Sequence, residues 1–142
     1  MSKKHILFLD GDCVFCQTSA QRLHRLDQQK HIYFSTLQGE TASSLPDDWR
    51  VLETADGTAT GAAVLAEDVG ENTPHYWRAA DAMLRSFYLA GGVLKCLWLF
   101  HWLPLRLRDS LYHWLSEHRH LLTPAGAQCP IPNETFKKQI LP

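Results

Sequence analysis

The stretch Leu7-Phe8-Leu9-Asp10-Gly11-Asp12-Cys13-Val14-Phe15-Cys16 constrains the fold more than any other part of the sequence. An apolar run over residues 5–9 is the length of a short strand, and Gly11 punctuates it. Behind the glycine, over residues 14–27, Cys16, Ala20, Leu23 and Leu26 recur at helical spacing, leaving Arg22, Arg25 and Asp27 for the solvent side. Residues 32–35 then read as a second strand. A strand, helix and strand over 5–36 favour a parallel pair joined by a crossover helix.

The remainder divides by punctuation. Residues 38–61 are rich in Ser, Thr, Asp, Gly and Pro and read as loop, with at most a short strand at 51–53. Residues 62–66 and 75–78 look like an antiparallel strand pair. Helical segments follow over 79–89, 93–103 and 105–121, separated by Gly91-Gly92 and by Pro104, and the tail over 122–142 reads as irregular. The last helical segment carries Leu107, Leu111, Trp114, Leu115 and His118 on one face. The expected fold class is α/β, a small central sheet with flanking helices and a helical C-terminal half. At 142 residues the chain suits one domain across 1–142, large enough to bury a core without staples.

Charge narrows the partners. Fourteen basic residues against 15 acidic ones give a net charge of -1, which is no electrostatic footprint for nucleic acid. The apolar run behind Lys3-Lys4 is too short for a signal peptide, and the stretch over 93–103 contains Lys95 and His101 and is too short to span a bilayer. No transmembrane segment and a cytoplasmic location are therefore expected. Four cysteines, Cys13, Cys16, Cys96 and Cys129, then suggest catalysis or metal binding rather than a disulfide framework.

Three chemistries compete for the opening motif. In the thiol reading, Cys13 and Cys16 stand one turn apart where a helix begins, close enough to bond after a small adjustment. The positive end of the helix favours a thiolate on Cys13, the attacking sulfur, and Cys16 on the apolar face resolves the mixed disulfide. Read only as packing, Cys16 is a small core residue. Asp12 suits the helix N-cap. Asp10 is either a buried general base for the Cys16 proton or a structural acceptor of amide hydrogen bonds in the turn; a carboxylate beside Cys13 otherwise opposes a thiolate. In the metal reading, the cysteine pair with Cys129 or a histidine holds zinc or copper, although a closed zinc site usually wants four ligands. His113, His118 and His120 with Cys129 are a second possible set, but a spacing of five between the first two does not align them. The thiol reading needs neither cofactor nor metal. In the phosphatase reading, Asp10-Gly11-Asp12-Cys13-Val14 resembles the first motif of haloacid-dehalogenase-like phosphatases, with Asp10 attacking phosphorus and Asp12 protonating the leaving group. Ser35 and the pair Glu67-Asp68 sit where that family keeps a hydroxyl and its magnesium-binding acids, but no lysine lies between Lys30 and Lys95 to match its charge-neutralising residue.

Taken in order, several motifs resemble the DCC family of thiol-disulfide oxidoreductases. Asp10-Gly11-Asp12-Cys13-Val14-Phe15-Cys16 is similar to its D-G-x-C-x-x-C opening, and Phe34-Ser35-Thr36-Leu37-Gln38 to its second-strand signature. Pro104, Arg106, Arg108, Asp109, Tyr112 and Arg119 resemble its C-terminal helix motif, and Cys129-Pro130-Ile131-Pro132 its terminal Cys-x-x-Pro. The resemblance implies a thioredoxin-like fold and dithiol-disulfide exchange with a protein or low-molecular-weight thiol or disulfide. It marks Asp10, Cys13 and Cys16 as the centre, with Cys129 as an auxiliary thiol. Arg106, Arg108, Asp109 and Arg119 are either an ion-pair network holding the helices or an auxiliary anion site. One departure from thioredoxin is that Gly61, not a cis-proline, precedes Ala62. Trp98, Trp102 and Trp114 read as helix-packing residues; if exposed, they mark a partner surface or a peripheral membrane contact.

Overall fold

A computed structural model describes residues 4–11, 14–46, 49, 51–53, 59–61, 63–70, 74–118, 121 and 134–142. Strand β1 (Lys4–Leu9), helix α1 (Val14–Leu26) and strand β2 (Ile32–Thr36) form the opening unit, and β1 and β2 pair in parallel with Leu7 opposite Phe34. The ladder continues beyond the strands through the Leu37 amide, which donates to the Leu9 carbonyl at 2.9 Å.

Strand β1 is apolar without alternation because both its faces are covered. Leu7 and Leu9 join Leu23, Ile32, Phe34 and Leu65 in the core on the helical side. Ile6 and Phe8 meet Leu37, Ala42, Leu45 and Val64 on the other side, where the covering segment is a 3-10 turn, Glu40–Ser44, together with Trp49. What the sequence presents as a polar loop therefore contributes one wall of the core. Beyond it, β3 (Val51–Glu53) and β4 (Ala59–Gly61) pair antiparallel as a separate two-stranded sheet, so the expected short strand has a partner that periodicity did not reveal.

Strands β5 (Val64–Val69) and β6 (His75–Arg78) complete the main sheet in the order β2-β1-β5-β6, both additions being antiparallel. Helix α2 (Ala79–Ala90) turns Ala79, Ala82, Ser86 and Ala90 inward, and such small side chains allow close approach to the sheet. The other edge of the sheet is closed by residues 139–142: the Phe34 amide donates to the Gln139 carbonyl and the Leu141 amide to the Phe34 carbonyl, each at 2.8 Å. The arrangement is α/β and thioredoxin-like.

Helix α1 departs from its expected face in a telling way. Asp27 is 1% exposed, and its two carboxylate oxygens accept the amides of Lys30 and Ile32 at 3.0 Å each, while Leu26 is 49% exposed. The buried stripe follows Cys16, Ala20, Leu23 and Asp27, because the connection into β2 needs a hydrogen-bond acceptor at its root more than another apolar residue. His24, also buried, packs edge-on against the rings of Phe34 and Phe136. Burial first, and then the charge of Lys30, lower its pKa from the ordinary value.

The C-terminal helical half differs from expectation in both geometry and facing. Gly91 and Gly92 both take positive φ and end α2, and Gly92–Trp102 then winds as a 3-10 helix. Residues three apart eclipse in that geometry, and Trp98 stacks on His101 with planes 5° apart and centroids at 4.4 Å. Helix α3 (Leu105–Glu117) directs Leu107, Leu111 and Trp114 to solvent, and turns Arg108 and Tyr112 toward the body. Trp98 is thus a packing residue as expected, whereas Trp102, 86% exposed, and Trp114 are not. Two polar joints fasten this half. Glu67 on β5 receives Arg85 at 2.7 and 2.9 Å and the Trp77 indole N–H at 2.8 Å, with the Arg85 guanidinium lying over the rings of Trp77, Tyr88 and Trp98. Arg108 on α3 pairs with Asp81 on α2 and meets His101 Nδ1 at 2.8 Å.

Candidate active site

The site begins where β1 runs out. Asp10 follows the last strand residue, Gly11 makes the turn, and α1 is under way by Val14, where the Thr18 hydroxyl donates to the Val14 carbonyl at 2.8 Å. Glycine suits this turn for reasons of space: a Cβ at Gly11 would stand 3.0 Å from Thr36 Cγ2 and 3.3 Å from Gln38 Oε1, so a larger residue would have to displace those side chains by a few tenths of an ångström.

Two glutamines hold this turn. The Gln38 side chain donates to Asp10 Oδ1 at 3.1 Å and accepts the Gly11 amide at 3.2 Å, while Gln17 from the first turns of α1 donates to the Gly11 carbonyl. Neither glutamine stands out in the sequence as a functional residue. The one signal available for Gln38 is that it ends the stretch Phe34 to Gln38 resembling the family's second-strand signature.

Cys16 sits in the first turn of α1, half-buried, on the stripe shared with Ala20 and Leu23, and packs against the helical-side core. Helix α1 has no acidic residue among its first-turn positions and carries His24 and Arg25 in its last turn, so its positive end is not neutralised from within. Asp12 and Cys13, expected as N-cap and attacking thiol, and Cys129, expected as auxiliary thiol, lie outside the described residues, as does Arg119. Cys96 is an exposed free thiol on the 3-10 helix.

The expected auxiliary charges do not form one group. Arg108 reaches Asp81 and His101, Arg106 is exposed, and Asp109 is half-buried. From the same helix, Tyr112 accepts the Ala63 amide at 3.2 Å, and the Ala63 carbonyl accepts the Ala79 amide at 2.8 Å. The segment leading into β5, where thioredoxins use proline, is therefore fixed by hydrogen bonds on both sides of Ala63.

The carboxylate chemistry fails on geometry. Strand β5 runs antiparallel to β1 with Ile6 opposite Ala66, which puts Glu67 and Asp68 at the start of β1, while Asp10 lies beyond its end. At about 3.3 Å per residue the two sets of acids are roughly 15 Å apart. Glu67 is moreover engaged by Arg85 and Trp77: burial alone would raise its pKa, and those hydrogen bonds outweigh it and hold the carboxyl below its ordinary value. Magnesium-binding acids beside Asp10 are therefore absent from these positions. Among the described residues no group of three or more His, Cys, Asp or Glu side chains is placed to hold a metal.

Beside Asp10 and Gly11 opens a cavity of about 230 Å³ between the ends of β1 and β2, helix α1, and a short helix α4 (Glu134–Lys137) with the strand-like residues after it. A family model for DCC1-like thiol-disulfide oxidoreductases matches residues 7–125. The chain belongs to that family. In this DCC1-like protein the matched span takes in β1 from Leu7 onward, the other three strands of the main sheet, the turn at Gly11 and helix α3. The chain is also similar to an uncharacterized protein, YuxK, of Bacillus subtilis (strain 168): the two are 26% identical over 140 residues, 96% of this chain and 93% of YuxK. No solved structure matches it. The family is one of thiol-disulfide oxidoreductases, so the chain is an enzyme of that class. Among the described residues no helix is long and apolar enough to cross a membrane.

Proposed function

We propose that this chain carries out dithiol-disulfide exchange through Cys13 and Cys16, acting on a thiol or disulfide substrate in a reducing, cytoplasmic compartment. The observation that carries the reading is the position of Cys16: first turn of α1, half-buried on the core-facing stripe, directly after the strand-turn that bears Asp10 and Gly11. In the reducing direction the Cys13 thiolate attacks one sulfur of a substrate disulfide. It forms a mixed disulfide and releases one substrate thiolate. Cys16 gives its proton to the substrate thiolate already released and attacks the Cys13 sulfur, which forms the Cys13–Cys16 disulfide and releases the second substrate sulfur as a thiolate that solvent protonates. Two electrons pass from the enzyme dithiol to the substrate, and the reverse sequence oxidises a substrate dithiol.

Asp10 acts by position in this scheme. Its carboxylate is joined through Gln38 to the Gly11 amide, so it sets the turn ahead of the helix. Asp10→Asn keeps an acceptor for Gln38 and is expected to hold the exchange rate within about threefold, with an unchanged pH profile, whereas loss of a general base costs roughly 10²–10⁴-fold.

The decisive experiment is trapping. Cys16→Ser is expected to accumulate mixed disulfides through Cys13, seen by mass spectrometry, and Cys13→Ser to abolish exchange without such adducts. Full exchange by both single variants overturns the reading.

A further inference from the structure

The cavity beside the Gly11 turn has a composition suited to one kind of occupant. Its floor is apolar, formed by Leu9, Ala20, Phe34 and Phe136, and its mouth is mixed, with Gln21 half-buried and the apolar Ile140 40% exposed. Ala20 lies one helical turn beyond Cys16 on the same stripe, so the floor continues from the helix face that carries that thiol. We propose that this cavity receives an apolar side chain, aromatic or large aliphatic, of a polypeptide substrate, flanking the cysteine that undergoes exchange. The proposal rests on the dithiol reading above and names the substrate class for it.

Size and charge select a peptide side chain over a small-molecule thiol. Pockets for whole ligands run from about 300 to 1,000 Å³, whereas a cavity of about 150 Å³ lined by Leu, Ile and Phe already takes benzene. A volume of about 230 Å³ suits one ring with a few further atoms and is too small for a tripeptide thiol. Among the described residues that line it, the single ionisable group is Asp10, an acid. No cation among those described residues meets the carboxylates of a molecule such as glutathione, and a like charge stands at the rim. The same rim suits a neutral peptide backbone, because Thr36, Gln17 and Gln21 offer hydrogen-bonding groups around an apolar floor.

The test compares exchange with two neutral disulfide peptides that differ only in the residue beside cysteine, Phe or Ala, and with the small neutral hydroxyethyl disulfide and oxidised glutathione. The Phe peptide is expected to show kcat/KM roughly 10- to 100-fold above the Ala peptide, from burial of one large apolar side chain. Oxidised glutathione is expected to fall below the Ala peptide. Ile140→Trp and Gln21→Trp, each placing a ring at the mouth, are expected to bring the Phe-to-Ala ratio down toward one. Two rim variants are used so that one folded protein, checked by thermal melting, suffices. Equal kcat/KM for the two peptides in the parent enzyme overturns the cavity assignment, and so does a preference for Phe that survives in a folded rim variant. Absence of exchange with all four substrates overturns the dithiol reading and the cavity assignment together, an outcome distinct from exchange without discrimination.

Discussion

Residues 4–37 and residues 92–117 are both rich in apolar side chains, yet they use them in opposite ways. In the first region Leu7, Phe8, Leu23 and Ile32 are 2% exposed or less, and the sheet is covered on both faces. In the second the 3-10 helix has no buried residue, and Leu107, Leu111 and Trp114 stand in solvent. The helical region is held instead where Arg85, paired with Glu67, lies over the Trp98 ring, and where Arg108 meets Asp81 and His101. Apolar content therefore says little about what stabilises a segment; the burial of each group decides it.

The largest expected effect is the same chemical change made in both regions. Leu23→Ala is expected to lower stability by about 3 kcal/mol, whereas Leu107→Ala stays within about 0.5 kcal/mol, as read by urea midpoints with unchanged slope. Equal losses at the two positions would erase the contrast. Next in size is Glu67→Gln, which leaves the Arg85 guanidinium without its carboxylate partner and is expected to cost about 2 kcal/mol in the same measurement. A loss no larger than that of Leu107→Ala would show that the joint does not hold the helical half.

A smaller effect separates the regions by pH. The pKa of His24, in the first region, is lowered chiefly by burial, so the stability linked to its neutral form is complete above the ordinary value of 6.5 and is lost as pH falls from there through the folded value. The pKa of Glu67 is also lowered, but from 4.5, so its contribution holds at pH 6 and is lost only as pH falls below 4.5 through its folded value. Thermal melts from pH 8 to 3 should show a shallow decline starting near pH 6.5 and a second below pH 4.5. His24→Leu should remove the first alone and Glu67→Gln the second alone.

The opening unit was legible because its periods are clean: a strand-length apolar run, a glycine, and then Cys16, Ala20 and Leu23 at helical spacing. An acid at a helix end ordinarily meets water, so the pattern alone puts Asp27 on the solvent side, and only the path of the following turn shows that two amides need it. Strand β4 carries no apolar alternation in Ala59-Thr60-Gly61, so nothing local distinguished it from loop. For α3 the sequence revealed an amphipathic helix, but a period cannot say whether its apolar stripe points inward. At the site, spacing gave the position of Cys16, while the two glutamines that hold Gly11 come from elements 21 residues apart and have no shared local signature.

The pairing of residues 139–142 with Phe34 has a consequence for the order in which the molecule is assembled. A chain emerging from its N-terminus can form β1, α1 and β2 early, since their contacts are close in sequence. The outer edge of β2 must then wait for partners about a hundred residues downstream, as the contact of Gln139 with Lys30 spans 109 positions. Closing so long a loop adds little entropy cost over a loop half its length, roughly 0.6 kcal/mol, so the delay is set by synthesis rather than by thermodynamics. Until then a parallel edge strand stands open, the kind of edge that invites pairing with another chain. Phe136 and Ile140 arrive with the closing segment, so the newborn protein holds both cysteines of its motif before it holds the walls of its cavity. Discrimination among substrates is the last property the chain acquires.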